Sequence, residues 1–173
     1  MHLKLQKKFD EAETVRLDLL KKVSAITDEK FRHVPSSGKW SISQILTHIM
    51  ISERLSMGYM KKKSLGIEQV GNSGIMESIK MIILKISQRI PLRYKAPKVV
   101  VERTPEALSR TQLVAQWDAD RQDLQKFLGT IEGKNIKKKI YKHPVAGRLD
   151  VLQALTFFNE HIHHHWPQVK RLL

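Results

Sequence analysis

The residues best equipped for chemistry lie near the C-terminus, in Phe157-Phe158-Asn159-Glu160-His161-Ile162-His163-His164-His165-Trp166-Pro167-Gln168-Val169, which holds half of the chain's eight histidines. His161 and His165 are four apart, so in a helix they lie on one face, one turn above the other. Two imidazoles in that relation can chelate one metal ion, as in helical zinc motifs of the H-E-x-x-H kind. His163 falls roughly 200° around the helix from His161 and should point away. His164, three after His161, is the alternative partner. Two ligands are not a site, and a third must come from another element. Glu53 and Glu160 are the carboxylates nearest in sequence to the candidate histidines. Glu160 should project about 100° from His161, which makes it a poor candidate for a base.

Composition narrows the chemistry. The 173 residues contain no cysteine, so disulfides and thiolate ligands are excluded and any metal must use histidine, carboxylate or water. The length fits one domain, residues 1–173, with a respectable core. The start, Met1-His2-Leu3-Lys4-Leu5-Gln6-Lys7-Lys8, lacks the apolar centre of a signal peptide, and no run approaches the length of a membrane span. The expectation is a soluble, cytoplasmic protein without a membrane partner. The net charge of +14 favours anionic small molecules and nonspecific contact with anions. The run Lys137-Lys138-Lys139 lacks interleaved aromatics and any nucleic-acid-binding motif, so no specific nucleic-acid partner is expected.

The elements that must position the histidines are helical. A first helix is expected from about Asp10 to Thr27, with Val15, Leu17, Leu19, Leu20, Val23 and Ile26 at helical spacing. His33 to Gly38 reads as a loop. Ser41 with Gln44 forms a capping-box pattern, Trp40 can staple onto Ile45, and a second helix runs from Ile42 to about Lys62. His48 sits on it beside the apolar stripe and should face inward. Glu77 to Ile90 reads as a short core helix ended by Pro91; a membrane-surface helix is the competing reading. Pro91 to Glu106 is a connector in which Val99-Val100-Val101 could be extended. Ser109 with Gln112 opens a third helix with the stripe Leu113, Trp117, Leu124 and Leu128. Its Asp118, Asp120 and Asp123 read as a solvated face paired with Arg121 and Lys126. His143-Pro144-Val145-Ala146-Gly147 is a turn, and Asp150 with Gln153 opens the last helix. Counting elements gives an all-α four-helix bundle with one long crossover connection and a short extra helix. In such a bundle His48 can meet His161 and His165 across facing helices.

Three stretches then line up with a known family. Trp40-Ser41-Ile42-Ser43-Gln44-Ile45-Leu46-Thr47-His48 resembles the W-S-x-x-x-x-x-x-H signature of the DinB and YfiT-like bundle proteins. His143-Pro144-Val145-Ala146-Gly147 resembles their H-P-x-x-G turn, and His161 to Val169 resembles their H-x-x-H-H-x-x-Q-I ending. The resemblance implies a divalent metal, usually zinc or nickel, held by His48, His161 and His165. It also implies a homodimer. Characterised relatives include transferases that use low-molecular-weight thiols, such as bacillithiol transferases and mycothiol-dependent isomerases, and many others have no known activity. Pro167 departs from the pattern: it cannot donate to the carbonyl of His163 and disfavours helical geometry at Trp166, so a kink or early helix end is expected beside His165.

The expectation drawn from both lines is a metal-dependent thiol S-transferase or a hydrolase acting on a small, anionic substrate. An open coordination position would be reached through a pocket lined by the second and fourth helices. The alternative is a non-catalytic stress-response or binding protein with a structural or vestigial metal.

Overall fold

Local signals fix the helix starts. In the computed structural model, which describes residues 1–36, 39–89 and 107–173, six helices and one hairpin follow in order. They are α1 (Leu3–Val23), α2 (Asp28–Arg32), α3 (Ile42–Ser64), α4 (Ile75–Arg89), α5 (Arg110–Gly129), β1 (Tyr141–His143), β2 (Gly147–Leu149) and α6 (Val151–Lys170). The connector from Pro91 to Glu106, with Val99–Val101, lies outside the described residues, as do Ile90 and residues 37–38. All three anticipated capping boxes form. Ser41 Oγ accepts from the Gln44 amide at 3.1 Å and Gln44 Oε1 from the Ser41 amide at 2.9 Å. Ser109 with Gln112 and Asp150 with Gln153 repeat the arrangement. Each satisfies two amide donors that a helix start otherwise leaves unpaired.

The fold is all-α, a four-helix bundle in which α1, α3, α5 and α6 are the long helices. α6 packs on α1 and α3, α3 also on α5, and α1 on α5. The long crossover between α3 and α5 carries the short extra helix α4, which leans on α6. The hairpin is a small addition: His143↔Gly147, Lys142↔Arg148 and Tyr141↔Leu149 pair antiparallel around the expected turn. Gly147 takes φ +74°, the left-handed region that glycine adopts without cost.

Four expectations need correction. α1 begins at Leu3, capped by His2, and its buried stripe is Leu5, Phe9, Ala12, Arg16, Leu19 and Val23. Leu17, expected inside, is exposed. The charged Arg16 sits within the seam and hides the 4-3-4 spacing from an apolar pattern search. α1 ends at Val23, short of the expected Thr27, and an unexpected short helix, α2, follows, capped by Thr27 and with Phe31 fully buried. α4 buries only Met81 and Leu84 of its apolar residues; Ile79, Ile82, Ile83 and Ile86 are exposed. Finally, Pro167 does not end α6, which continues to Lys170. The proline withholds one amide, the partner of the His163 carbonyl; the helix continues past it to bury Val169, and the Pro167 carbonyl accepts from Arg171 Nε at 3.0 Å.

The core has two apolar halves. One gathers Leu5, Phe9, Met57, Leu124, Leu155 and Phe158; the other gathers Leu19, Ile45, Ile49, Leu113, Trp117 and Ile162. A charged layer joins α1, α3 and α5 as well. Glu53 accepts from Trp117 Nε1 and from Arg121 Nη2, each at 2.8 Å. Arg121 Nε also lies 3.2 Å from Glu13, and Arg16 joins Glu13 at 2.9 Å to Asp118 at 2.7 Å. Asp118, Asp120 and Asp123 therefore pair across helices, with Arg16, Arg54 and Lys61, and not with Arg121 and Lys126 along their own. Helical spacing reveals neighbours on one helix; it does not reveal which facing helix supplies the counter-charge.

Candidate metal centre

α3 brings His48, and α6 brings His161 and His165, to one buried point. The capping box at Ser41 sets where α3 begins, which places His48 one turn beyond Ile45 on the inward side. The Asp150–Gln153 box does the same for α6, three turns before His161. The three side chains are only 5–8% exposed. Ring centroids lie 5.1 Å (His48–His161), 4.9 Å (His48–His165) and 4.7 Å (His161–His165) apart. One nitrogen from each ring falls within 4.8 Å of the others, and the group could hold a metal ion. His161 Nε2 and His165 Nε2 are 3.1 Å apart. Two nitrogens bound tetrahedrally at 2.0–2.1 Å would sit about 3.4 Å apart, so little movement separates this arrangement from ligation.

The electrostatics suit a cation. Burial, helped by the neighbouring imidazoles, lowers all three basicities: His48 to about 4, His165 to about 3 and His161 well below its ordinary value. All three are therefore neutral at neutral pH and keep a lone pair. Gln168 Oε1 lies 3.1 Å from His165 Nδ1. With the proton on Nδ1, the His165 Nε2 lone pair faces His161. His161 Nε2 must then carry a proton toward it, or two lone pairs collide. A cation between them relieves that conflict, with the His161 proton moved to Nδ1. The Nδ1 atoms of His48 and His161 are buried without hydrogen-bond partners. The donor set thus fits a divalent transition-metal ion, which imidazole suits.

Aromatic rings enclose the point. Trp40 lies against His48 at 5.2 Å, and Phe157 stacks on His161 at 5.1 Å with an 18° interplanar angle. Trp40 was expected only as a staple on Ile45. His143, read from sequence as part of a turn, packs its ring on Phe157 at 4.5 Å. Its Nδ1 accepts from the Val145 and Ala146 amides, both at 3.1 Å, which fixes the tautomer with the proton on Nε2. Burial lowers its pKa to about 4. The signal that could have found it is the turn itself: a histidine two residues before a buried amide can cap the bend that it opens.

The remaining candidates fall elsewhere. His164 touches His165 at 4.9 Å from the edge of the group, and His163 is half-buried outside it. Glu160 is buried and turned to Lys85 at 3.4 Å, while Glu53 belongs to the charged layer. The only group of potential ligands among the described residues is the histidine trio.

Comparison with known proteins identifies the family. The profile of the DinB superfamily matches residues 11–169. The uncharacterized protein YuaE of Bacillus subtilis (strain 168) is 26% identical over 164 residues, covering 95% of this chain and 94% of that protein. No solved structure matches the chain. The match spans α1 through α6 and contains all three histidines, and the chain belongs to the DinB superfamily.

Proposed function

We propose that the chain, as one domain over residues 1–173 and as a homodimer, binds zinc or nickel through His48, His161 and His165. The reading assigns it to metal-dependent transfer of a low-molecular-weight thiol to a small, anionic electrophile, with hydrolysis as the related alternative. The observation that carries it is the convergence of three neutral, buried imidazoles from two helices, with two Nε2 atoms 3.1 Å apart. Three protein ligands leave a tetrahedral ion one position for an exogenous ligand. Bound there, the ion would lower the pKa of a thiol or water and supply a nucleophile at neutral pH.

The chain's own residues do the rest. Gln168 holds His165 in the tautomer that presents Nε2. Trp40 and Phe157 cover His48 and His161 and limit water. The sequence contains no cysteine, so in the transferase reading the nucleophilic thiol arrives as a small molecule. The net charge of +14 suits an anionic electrophile or an acidic thiol. The deep burial of the trio favours a second reading, a structural or vestigial metal in a non-catalytic stress-response protein.

The test joins two measurements on protein purified without a histidine tag: metal content by mass spectrometry, and thiol conjugation to a panel of electrophiles. The expected result is about one metal per chain and thiol-dependent turnover, both lost in His161→Ala. Metal without turnover selects the structural reading, and absence of metal defeats both.

A further inference from the structure

The extra helix α4 carries its apolar stripe on the wrong side for a core helix. Met81 and Leu84 are buried against α6, with Glu77 and Lys80 half-buried near them. The opposite side presents Ile75, Met76, Ile79, Ile82, Ile83 and Ile86, which are 44–83% exposed. We propose that this face is where two copies of the chain meet. The inference rests on the homodimer in the reading above and names its surface.

Three observations favour a second copy. Ile75, Ile79, Ile82 and Ile86 are spaced 4-3-4, the repeat that forms a seam against another helix, with Met76 and Ile83 flanking it. The six side chains expose on the order of 600 Å², at the top of what monomers show as their largest apolar patch. Doubled across a two-fold axis, that reaches the roughly 1,200 Å² at which specific interfaces begin. The third observation is charge. From Ile75 to Ile86 no charged residue occupies the seam positions, so along that stretch two chains of net charge +14 can meet without lysines opposed on the seam itself. Nearby, Lys85 is held by Glu160 at 3.4 Å and Lys139 by Glu77 at 3.5 Å. An anionic bilayer would instead use lysines free to reach lipid phosphates. Because α4 leans on α6, the contact would brace from behind the helix that carries His161 and His165.

The experiment is sedimentation equilibrium of the full chain. Wild type is expected at twice the chain mass of 20.1 kDa. Ile79→Glu and Ile82→Glu, at positions already in water, are expected at 20.1 kDa with unchanged helical circular dichroism. As a second measurement, Ile79→Cys introduces the chain's single thiol and should oxidise to a disulfide-linked dimer. Leu17→Cys, exposed on α1, should not. A wild-type dimer that survives both glutamates and does not cross-link through residue 79 overturns this surface while leaving the homodimer standing. A wild-type monomer overturns both. So does a monomer that sediments with phosphatidylserine vesicles and loses them on Ile82→Glu. Metal content of the same samples reports on the histidine trio separately.

Discussion

Gln168 Oε1 lies 3.1 Å from His165 Nδ1, at the edge of the ring opposite the nitrogen that faces His161. A carboxamide there decides which nitrogen of His165 keeps its lone pair. Partners of this kind typically change metal affinity 10–100-fold. Gln168→Leu should weaken zinc binding by about that factor in a chelator competition, while Gln168→Glu, which keeps the acceptor, should retain it. Equal affinities in wild type and Gln168→Leu would remove Gln168 from the site.

Metal removal should move the melting temperature without unfolding the bundle. A ligand that binds only the native state at 100 times its Kd stabilises by about 2.7 kcal/mol, or roughly 5–10 °C for a chain of this size. Wild type with excess zinc should melt that much higher than wild type with chelator. His161→Ala should melt cooperatively and ignore both additions. A His161→Ala protein still stabilised by zinc to the wild-type extent would place the metal elsewhere.

Acid should destabilise the metal-free fold through its buried histidines. His48 and His143 titrate near 4 and His165 near 3 in the folded chain, against about 6.5 when unfolded. Between those values the unfolded chain binds more protons. Stability is therefore complete above about pH 6.5 and falls as the pH drops through about 4, by about 1.4 kcal/mol per pH unit for each such histidine. Glu53 works in the opposite sense, because burial raises its carboxyl against the pull of Arg121 and Trp117. The clean comparison is thus wild type against His143→Gln, by urea unfolding at pH 7 and pH 5 with chelator present. The variant should lose less stability on acidification, by about one proton's slope. Parallel losses would mean that His143 protonates without opening the fold.

The charged layer makes its own prediction. Arg121→Met leaves Glu53 buried without its guanidinium, and breaking such a pair from one side costs about 3–5 kcal/mol. Adding Glu53→Gln should recover part of that, because the orphaned charge is gone. Urea midpoints of the single and double variants measure it. A double variant less stable than Arg121→Met would show that Glu53 is not the group left stranded.

Much of the site was legible because its signals are local. The i, i+4 pair on α6, the capping boxes that set where α3 and α6 begin, and the inward placement of His48 all reside in short stretches. What was not legible depends on facing surfaces. Arg16 inside the α1 seam, Arg121 turned inward to Glu53, and the acidic residues of α5 reaching to Arg16, Arg54 and Lys61 are settled by which helix lies opposite. α4 misled for a related reason: its isoleucines have core-like spacing, and spacing does not say whether the partner belongs to the same molecule. Pro167 misled because the single amide that it withholds, from the His163 carbonyl, did not outweigh the burial of Val169 beyond it.

The Glu53–Arg121 pair also acts as a gauge of length. Apolar stripes tolerate sliding, because one isoleucine can replace another a turn away. Glu53 lies five residues from His48 on the same helix, about 7.5 Å along the axis. A slip of α3 by one turn would carry its carboxylate about 5.4 Å from Arg121 and Trp117, stranding charge in an apolar slab. The same slip would carry His48 away from His161 and His165. Misalignment that would part the three histidines is thus already penalised by the fold itself.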